Sequence, residues 1–359
     1  MDAIEFMITS SQSGWQRCFE EINTYIRMKQ NFEKLDYISV LRVSSMMLII
    51  LFHSLCFYSG TWWYLNTNVI PLWKLLSAPT VKVGLTTFFF ISGYLYGYMY
   101  LEKGKYRDVK SFLSNKFRRL LIPYLFWGIQ MILTMKVLHI AWINLFTGVA
   151  HLWFLLVLFE LFLIMVILTR IGIGSCSTII VDLIIIVSSF ITLYIWQNTS
   201  THHHVLCIEE MMYYLPSFVM GFYCVRYSKI EINKYLLIVL FVISLFLMFL
   251  LSYYNYPESH TLYRIPAIMV SCSSLMLMKN QSNTICESFI FKNLDKNSMG
   301  IYIFNQIVVF LLLFIPETNN YLSYHTYVGV LIIFTISLII PWLLANIFNK
   351  VKMLSYLIG

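Results

Sequence analysis

Charge is what this chain has least of. Asp, Glu, Lys and Arg supply 12% of its 359 residues, and only 17 residues are acidic, against roughly 25% charged in ordinary soluble domains. Paired cysteines are missing as well. Cys18, Cys56, Cys176, Cys207, Cys224, Cys272 and Cys286 are odd in number, scattered, and form no C-x-x-C, so neither a disulfide framework nor a zinc site is indicated. No P-loop, G-x-S-x-G elbow or dinucleotide fingerprint occurs. The alternating ten-residue segments of a membrane barrel are absent. Residues 1–36 lack the basic-then-apolar order of a signal peptide, so the first apolar span itself is expected to direct insertion.

The chain is instead 59% hydrophobic and 17% aromatic, with mean hydropathy +0.73. Apolar runs of about 18 residues or more, enough to cross a hydrocarbon core of roughly 30 Å, recur from Ile38 nearly to the C-terminus. They predict ten helices, at about 38–58, 81–100, 119–136, 151–169, 178–196, 211–227, 235–254, 261–278, 297–315 and 326–347. Lipid offers backbone groups no partners, so the expected fold is an all-α polytopic membrane bundle with no room for a separate folded domain.

Loop charge sets the expected orientation. With both termini cytoplasmic, most of the 25 Lys and Arg residues fall on the inner side, while Lys74, Lys82 and Lys136 fall at the outer side and Arg42 and Arg264 within spans. The net charge of +8 then reflects this bias and anionic lipid, and calls for no nucleic-acid partner. In residues 1–36, Trp15, Cys18, Phe19, Ile22 and Ile26 recur at helical spacing. That segment is read as cytoplasmic, either an amphipathic helix on the inner leaflet or a plain solvated extension.

The first span, "LRVSSMMLIILFHS" (41–54), carries Arg42 and His53. A charge at mid-bilayer costs about 2.5–3.5 kcal/mol on insertion scales, so intramembrane ionisable groups usually face a protein interior or a wet cavity. Eleven residues at about 100° each end some 20° past three turns, which places both groups on one face about 16 Å apart. Such a stripe reads as a track leading inward from the cytoplasm. Guanidinium stays charged and offers a fork of donors, whereas imidazole in a low-dielectric site favours its neutral, proton-accepting form. His53 is therefore a candidate general base. The alternative is that Arg42 snorkels to headgroups and His53 hydrogen-bonds a neighbouring helix.

Three further stretches stand in order behind this R-x10-H spacing: "TTFFFISGYLYG" (86–97), "KFRRLLIPYLFW" (116–127) and "HLWFLLVLFE" (151–160). Together they resemble the acyltransferase-3 family, membrane proteins that move acyl groups, commonly acetyl, from a cytoplasmic donor onto sugars and related acceptors. "SMGIYIFNQ" (298–306) is similar to the family's late helix, where His is common and this chain has Asn305. The resemblance runs through most of the chain from about residue 36. It implies an acyltransferase domain over 37–350 with a cytoplasmic tail at 351–359, acyl-coenzyme A (acetyl-coenzyme A by default) as donor, no metal, and a catalytic role for His53, as general base or as transient acyl-carrying nucleophile, with Arg42 holding a donor phosphate or stabilising charge on the thioester oxygen.

The other candidates each carry two readings. Seven basic residues crowd 103–119. They are a topology anchor, or else Lys116, Arg118 and Arg119 hold the donor's phosphates; the family resemblance implies Arg119, four residues before Pro123, as the favoured one. Ser92, Gly93 and Gly97 make a small-residue strip suited to close helix packing. His151 and Trp153 open a span where an aromatic belt is expected, but they also suit a sugar acceptor. Glu160, roughly 13 Å deeper on that helix, must be protonated or paired, with Arg264, Arg42 or His53 as possible partners. Asp182 is expected at the interface, and Arg264 to snorkel or, as the lesser alternative, to face the cavity. The run His202-His203-His204 lacks the i, i+4 geometry of a helical ligand pair and reads as an outer loop, on which Asn198-Thr199-Ser200 is a glycosylation sequon.

The function predicted is transfer of an acyl group, by default acetyl, to a hydroxyl of a cell-envelope glycan or lipid-linked sugar, in a bacterial inner membrane. A transporter or exporter of a polysaccharide or its precursor is the principal alternative, although no duplicated pattern of interrupted helices is visible. A noncatalytic scaffold would leave the Arg42–His53 stripe without a purpose.

Overall fold

Hydropathy places the helices well but their ends poorly. A computed structural model describes residues 35–62, 65–66, 68–106, 108–134, 141–172, 179–198, 205–227, 230–256, 261–279 and 284–359, and among them every regular element is helical. The longer helices are α1 (Asp36–Ser59), α2 (Pro71–Gly97), α3 (Val109–Lys116), α4 (Ile122–Thr134), α5 (Trp153–Arg170), α6 (Ile179–Asn198), α7 (Ile208–Tyr227), α8 (Lys234–Tyr253), α9 (Arg264–Lys279), α10 (Phe289–Leu313), α11 (Pro316–Tyr324) and α12 (Thr326–Lys350). The expected amphipathic helix before residue 35, the His202–His204 run and most of the sequon lie outside the described residues.

Seven helices among the described residues are long and apolar enough to cross a membrane: α1, α2 with its π-helical extension to Glu102, α5 from Ala150, α6, α8, α10 and α12. Helices also occupy the three other expected spans. Of these, α4 and α9 are only 13 and 16 residues long, and α7 carries Glu209, Glu210 and Arg226. The most apolar windows of α2 and α10 are 72% buried in protein, against 17% for α6 and α8. The first pair therefore belongs to the core, and the second presents most of its surface outward.

Proline explains two departures from the predicted boundaries. Pro71 stands at the first position of α2, where its missing N–H has no helical partner to lose. The helix thus begins ten residues before the predicted span at 81, and Lys82 lies well inside it rather than at an outer edge. Pro123, at the second position of α4, cannot bond the carbonyl of Arg119 four residues earlier. The turn just before it, Phe117–Leu121, widens into a π-turn that carries Arg118 and Arg119.

Prolines inside helices free carbonyls that neighbouring helices then satisfy, as a bilayer requires. Pro79 in α2 leaves the Leu75 carbonyl unbonded within its helix, and the Ser252 hydroxyl of α8 donates to it at 2.8 Å. Pro341 in α12 does the same for Ser337, whose carbonyl accepts from the Asn305 side-chain amide of α10 at 3.0 Å.

Side-chain rungs fix the helix directions. Tyr37 meets Tyr94 at 3.0 Å and the Ser45 hydroxyl donates to the Gly84 carbonyl, so α1 and α2 run antiparallel. Arg42 meets Asp295 and His53 meets Asn305, so α1 and α10 run parallel. The tightest crossing joins α2 to α7. A Cβ on Gly93 would run into the Phe218 carbonyl, and one on Gly221 into the Phe90 carbonyl, so each glycine admits the other helix's backbone. The small-residue strip therefore serves packing, with Gly221 as its counterpart, while the Ser92 hydroxyl bonds only the Phe88 carbonyl of its own helix. Overpacking such a contact costs typically about 1–3 kcal/mol. Gly221→Leu is expected to lower the thermal unfolding midpoint of detergent-purified protein clearly, and Ser92→Ala to leave it close to wild type; equal midpoints for all three proteins would contradict this packing.

Candidate active site

His53 is buried on α1, at 6% exposure. Its Nδ1 forms a short hydrogen bond with the Asn305 side-chain oxygen. The orientation of that amide is set from the other side, because the Asn305 nitrogen donates to the Ser337 carbonyl freed by Pro341. An oxygen facing His53 can only accept, so Nδ1 carries the proton. Nε2 is left as the unprotonated, proton-accepting nitrogen, with no partner among the described residues.

His151 reaches the same place from a different element. Gly148, at φ +98°, turns the chain in the left-handed region into the short 3-10 turn Ala150–Leu152 at the head of α5. Three contacts from α10 hold that turn: the Gln306 side-chain oxygen accepts the His151 N–H at 3.1 Å, the Tyr302 hydroxyl donates to the His151 carbonyl, and His151 Nε2 donates to the Ile303 carbonyl at 2.9 Å. The proton of the ring is thereby on Nε2, and Nδ1 is a buried acceptor with no partner among the described residues. The two imidazoles lie 6.0 Å apart between ring centres at 83°. Trp62 stacks on His53 at 6.1 Å.

Both histidines line a cavity of about 280 Å³, with Trp62, Lys82, Trp153 and Tyr214 among its other walls. Its lining mixes apolar side chains with Lys82, Tyr302, Gln306 and the two imidazoles, and a concave pocket with a few convergent polar groups is the form expected of a small-molecule site. Of the residues singled out from sequence, His53, His151 and Trp153 meet here.

Arg42 and Glu160 do not. Arg42 is half-buried at the N-terminal end of α1, its Nη1 3.0 Å from Asp295, which also accepts from Ser39 at 2.9 Å. The face shared by Arg42 and His53 on α1 is matched by Asp295 and Asn305 on α10, but it does not form one cavity wall. Glu160 pairs with neither Arg264 nor Arg42 and does not orient His53. Both its carboxylate oxygens are buried without a partner among the described residues.

The basic cluster lies apart from the cavity. Arg118 and Arg119 are exposed on the π-turn. Arg119 Nε donates to the main-chain oxygen of Gly359 at 3.0 Å, and Trp127 Nε1 to that of Leu357 at 2.7 Å, so residues 351–359 pack onto the α3–α4 junction. Lys116 Nζ sits 3.8 Å from the centre of the Phe162 ring. Burial, and next the Arg119 charge, bring this ammonium down to about 7. Asp182, in the first turn of α6, is buried in protein and bonded to Arg226 at 2.7 Å and Tyr227 at 2.8 Å. One other expectation changes. Arg264 does not snorkel: it is 1% exposed, wedged against Tyr213 and Tyr214.

Sequence reading missed Lys82, Asp295, Ser337 and Pro341. A proline within the last apolar run was the one visible signal, since it frees the carbonyl four residues before it. Among the described residues no group of three or more His, Cys, Asp or Glu is arranged to hold a metal ion.

Fold and cavity together describe a polytopic membrane protein whose core helices enclose two acceptor imidazoles. The chain belongs to the acyltransferase-3 family, whose model, described as an acyltransferase domain, matches residues 35–346. It is a membrane acyltransferase. No curated protein and no solved structure matches the chain.

Losing a hydrogen bond that holds His53 in one tautomer is expected to remove about 0.5–1.5 kcal/mol of positioning, or about two- to tenfold in rate. Asn305→Leu should therefore slow acyl transfer by up to about tenfold, and Pro341→Ala, which restores a competing donor to the Ser337 carbonyl, by less. Transfer rates of both variants equal to wild type would show that the relay does not hold the ring.

Proposed function

We propose that this acyltransferase carries an acyl group, acetyl by default, from cytoplasmic acyl-coenzyme A to a hydroxyl of a cell-envelope glycan or lipid-linked sugar. The observation that carries the reading is the unpartnered Nε2 of His53 on the wall of the cavity. In this scheme ten helices cross a bacterial inner membrane with both termini cytoplasmic, residues 37–350 form the catalytic domain, and the cavity lies toward the outer face. The acceptor hydroxyl gives its proton to His53 Nε2 as its oxygen attacks the thioester carbonyl. The tetrahedral intermediate then breaks its C–S bond, and the departing thiolate takes the proton back from the imidazolium. His151 Nδ1 accepts a second sugar hydroxyl, and Trp153 stacks on the ring.

The donor enters from the other end. Arg119, Arg118 and Lys116 offer cations to its phosphates. Arg42, whose Nη1 bonds Asp295 and whose other N–H groups have no partner among the described residues, offers those groups along the path. Glu160, which is not part of the cavity wall, has no place in this proton relay.

Two measurements test the scheme. Purified protein given labelled acetyl-coenzyme A and candidate glycans is expected to lose about 10²–10⁴-fold in transfer on His53→Ala; undiminished transfer removes His53 from the mechanism. Lys116 is charged below about pH 7 and neutral above it. Coenzyme A affinity should therefore fall between pH 6.5 and 8.5, and Lys116→Arg, which stays charged, should flatten that fall. A pH profile identical in the two proteins argues that the basic cluster only anchors the chain.

A further inference from the structure

Two buried cations share the Tyr213 ring next to the cavity, and no carboxylate among the described residues pairs with either. Lys82, 8% exposed, lines the cavity wall from α2. Its Nζ sits 4.8 Å from the centre of the Tyr213 ring, and the Arg264 guanidinium carbon sits 3.0 Å from the same centre and 4.1 Å from that of Tyr214. Tyr214 is itself part of the cavity wall. Arg264 spends one nitrogen on the Thr86 hydroxyl, at 2.9 Å, and its Nε and Nη2 have no partner among the described residues. Neither cation forms an ion pair with a described residue.

Aromatic faces attract cations, but the gain is smaller than the cost of taking an ammonium and a guanidinium out of water. Two like charges flanking one phenol ring repel as well. Elsewhere in this protein the same problem is solved with an acid: Arg42 meets Asp295 and Arg226 meets Asp182. At the cavity the described residues place no acid within ion-pair distance of either cation.

We propose that Lys82, backed by Arg264, forms an anion subsite of the acceptor pocket, and that the acceptor sugar carries a carboxylate or phosphate. This rests on the reading that the cavity receives the acceptor. Lys82 would meet the anionic group directly as a point charge, and the Arg264 field behind the tyrosines would add to it. Neutral sugars would bind at the same histidines without that contribution.

The test is a binding titration on the full chain in detergent, read by the fluorescence of Trp62 and Trp153, which line the cavity. The probes are glucuronate, galacturonate and glucose 1-phosphate, each against its neutral parent sugar. Wild type is expected to bind at least one acidic probe about tenfold or more tighter than its parent, with the preference shrinking as salt is raised. Lys82→Met should bring the ratio close to one, and Lys82→Arg should restore it. No acidic preference across the panel, or a preference that survives Lys82→Met, overturns the proposal. A Lys82→Met effect confined to coenzyme A affinity also overturns it, since it would assign the charge to the donor. Binding alone is read, so the two readings fail separately: an acidic preference without acetyl transfer leaves the subsite standing and removes the enzymatic scheme, while transfer without any preference does the reverse.

Discussion

A hydrogen bond that Pro341 cannot make governs the rest of the site. Without an N–H at that position the Ser337 carbonyl is left open within α12. It takes the amide nitrogen of Asn305, and the amide oxygen then takes the proton of His53 Nδ1. Three helices are tied by this relay, and its chemical product is a fixed tautomer. In water such a chain would exchange partners freely. Inside the bundle each link has no substitute, so the polarity of one link fixes that of the next.

Helix α10 is the spine on which the site is assembled. Within one turn and a little more it offers Tyr302, the Ile303 carbonyl, Asn305 and Gln306, which between them hold both imidazoles. Two layers nearer its N-terminus, Asp295 takes Arg42. The parallel course of α1 and α10 makes this possible, because residues with nearly equal offsets along the two helices stay level with one another. Polar rungs between otherwise apolar helices then specify register, which dispersion contacts among Leu, Ile and Phe specify poorly.

Much of this was legible in the chain and some was not. Apolar runs announced the helices, and His53 in an oily segment announced itself, since a titratable ring there needs a reason. The start of α2 was hidden because 71–80 contains Pro71, Lys74 and Pro79, residues that depress hydropathy yet fit a helix start and a satisfied kink. Lys82 was placed at a loop edge for the same reason. The partners of Arg42, Asp182 and His53 lie 253, 44 and 252 residues away, and no local pattern encodes a contact over that separation. Arg264 was misjudged because a guanidinium near a helix end ordinarily reaches for water; the adjacent pair Tyr213 and Tyr214 gave it an aromatic slot instead.

Where α2 and α7 cross, main chain rests on main chain at Gly93 and Gly221. Surfaces locked that closely have no slack, so neither helix can glide along the other without first prising apart. Lys82 and Tyr214, one from each member of the pair, therefore keep a constant spacing whatever fills the space before them. Between α1 and α10, by contrast, the ties named above run through side chains, Arg42 to Asp295 and His53 to Asn305, and not through main chain on main chain.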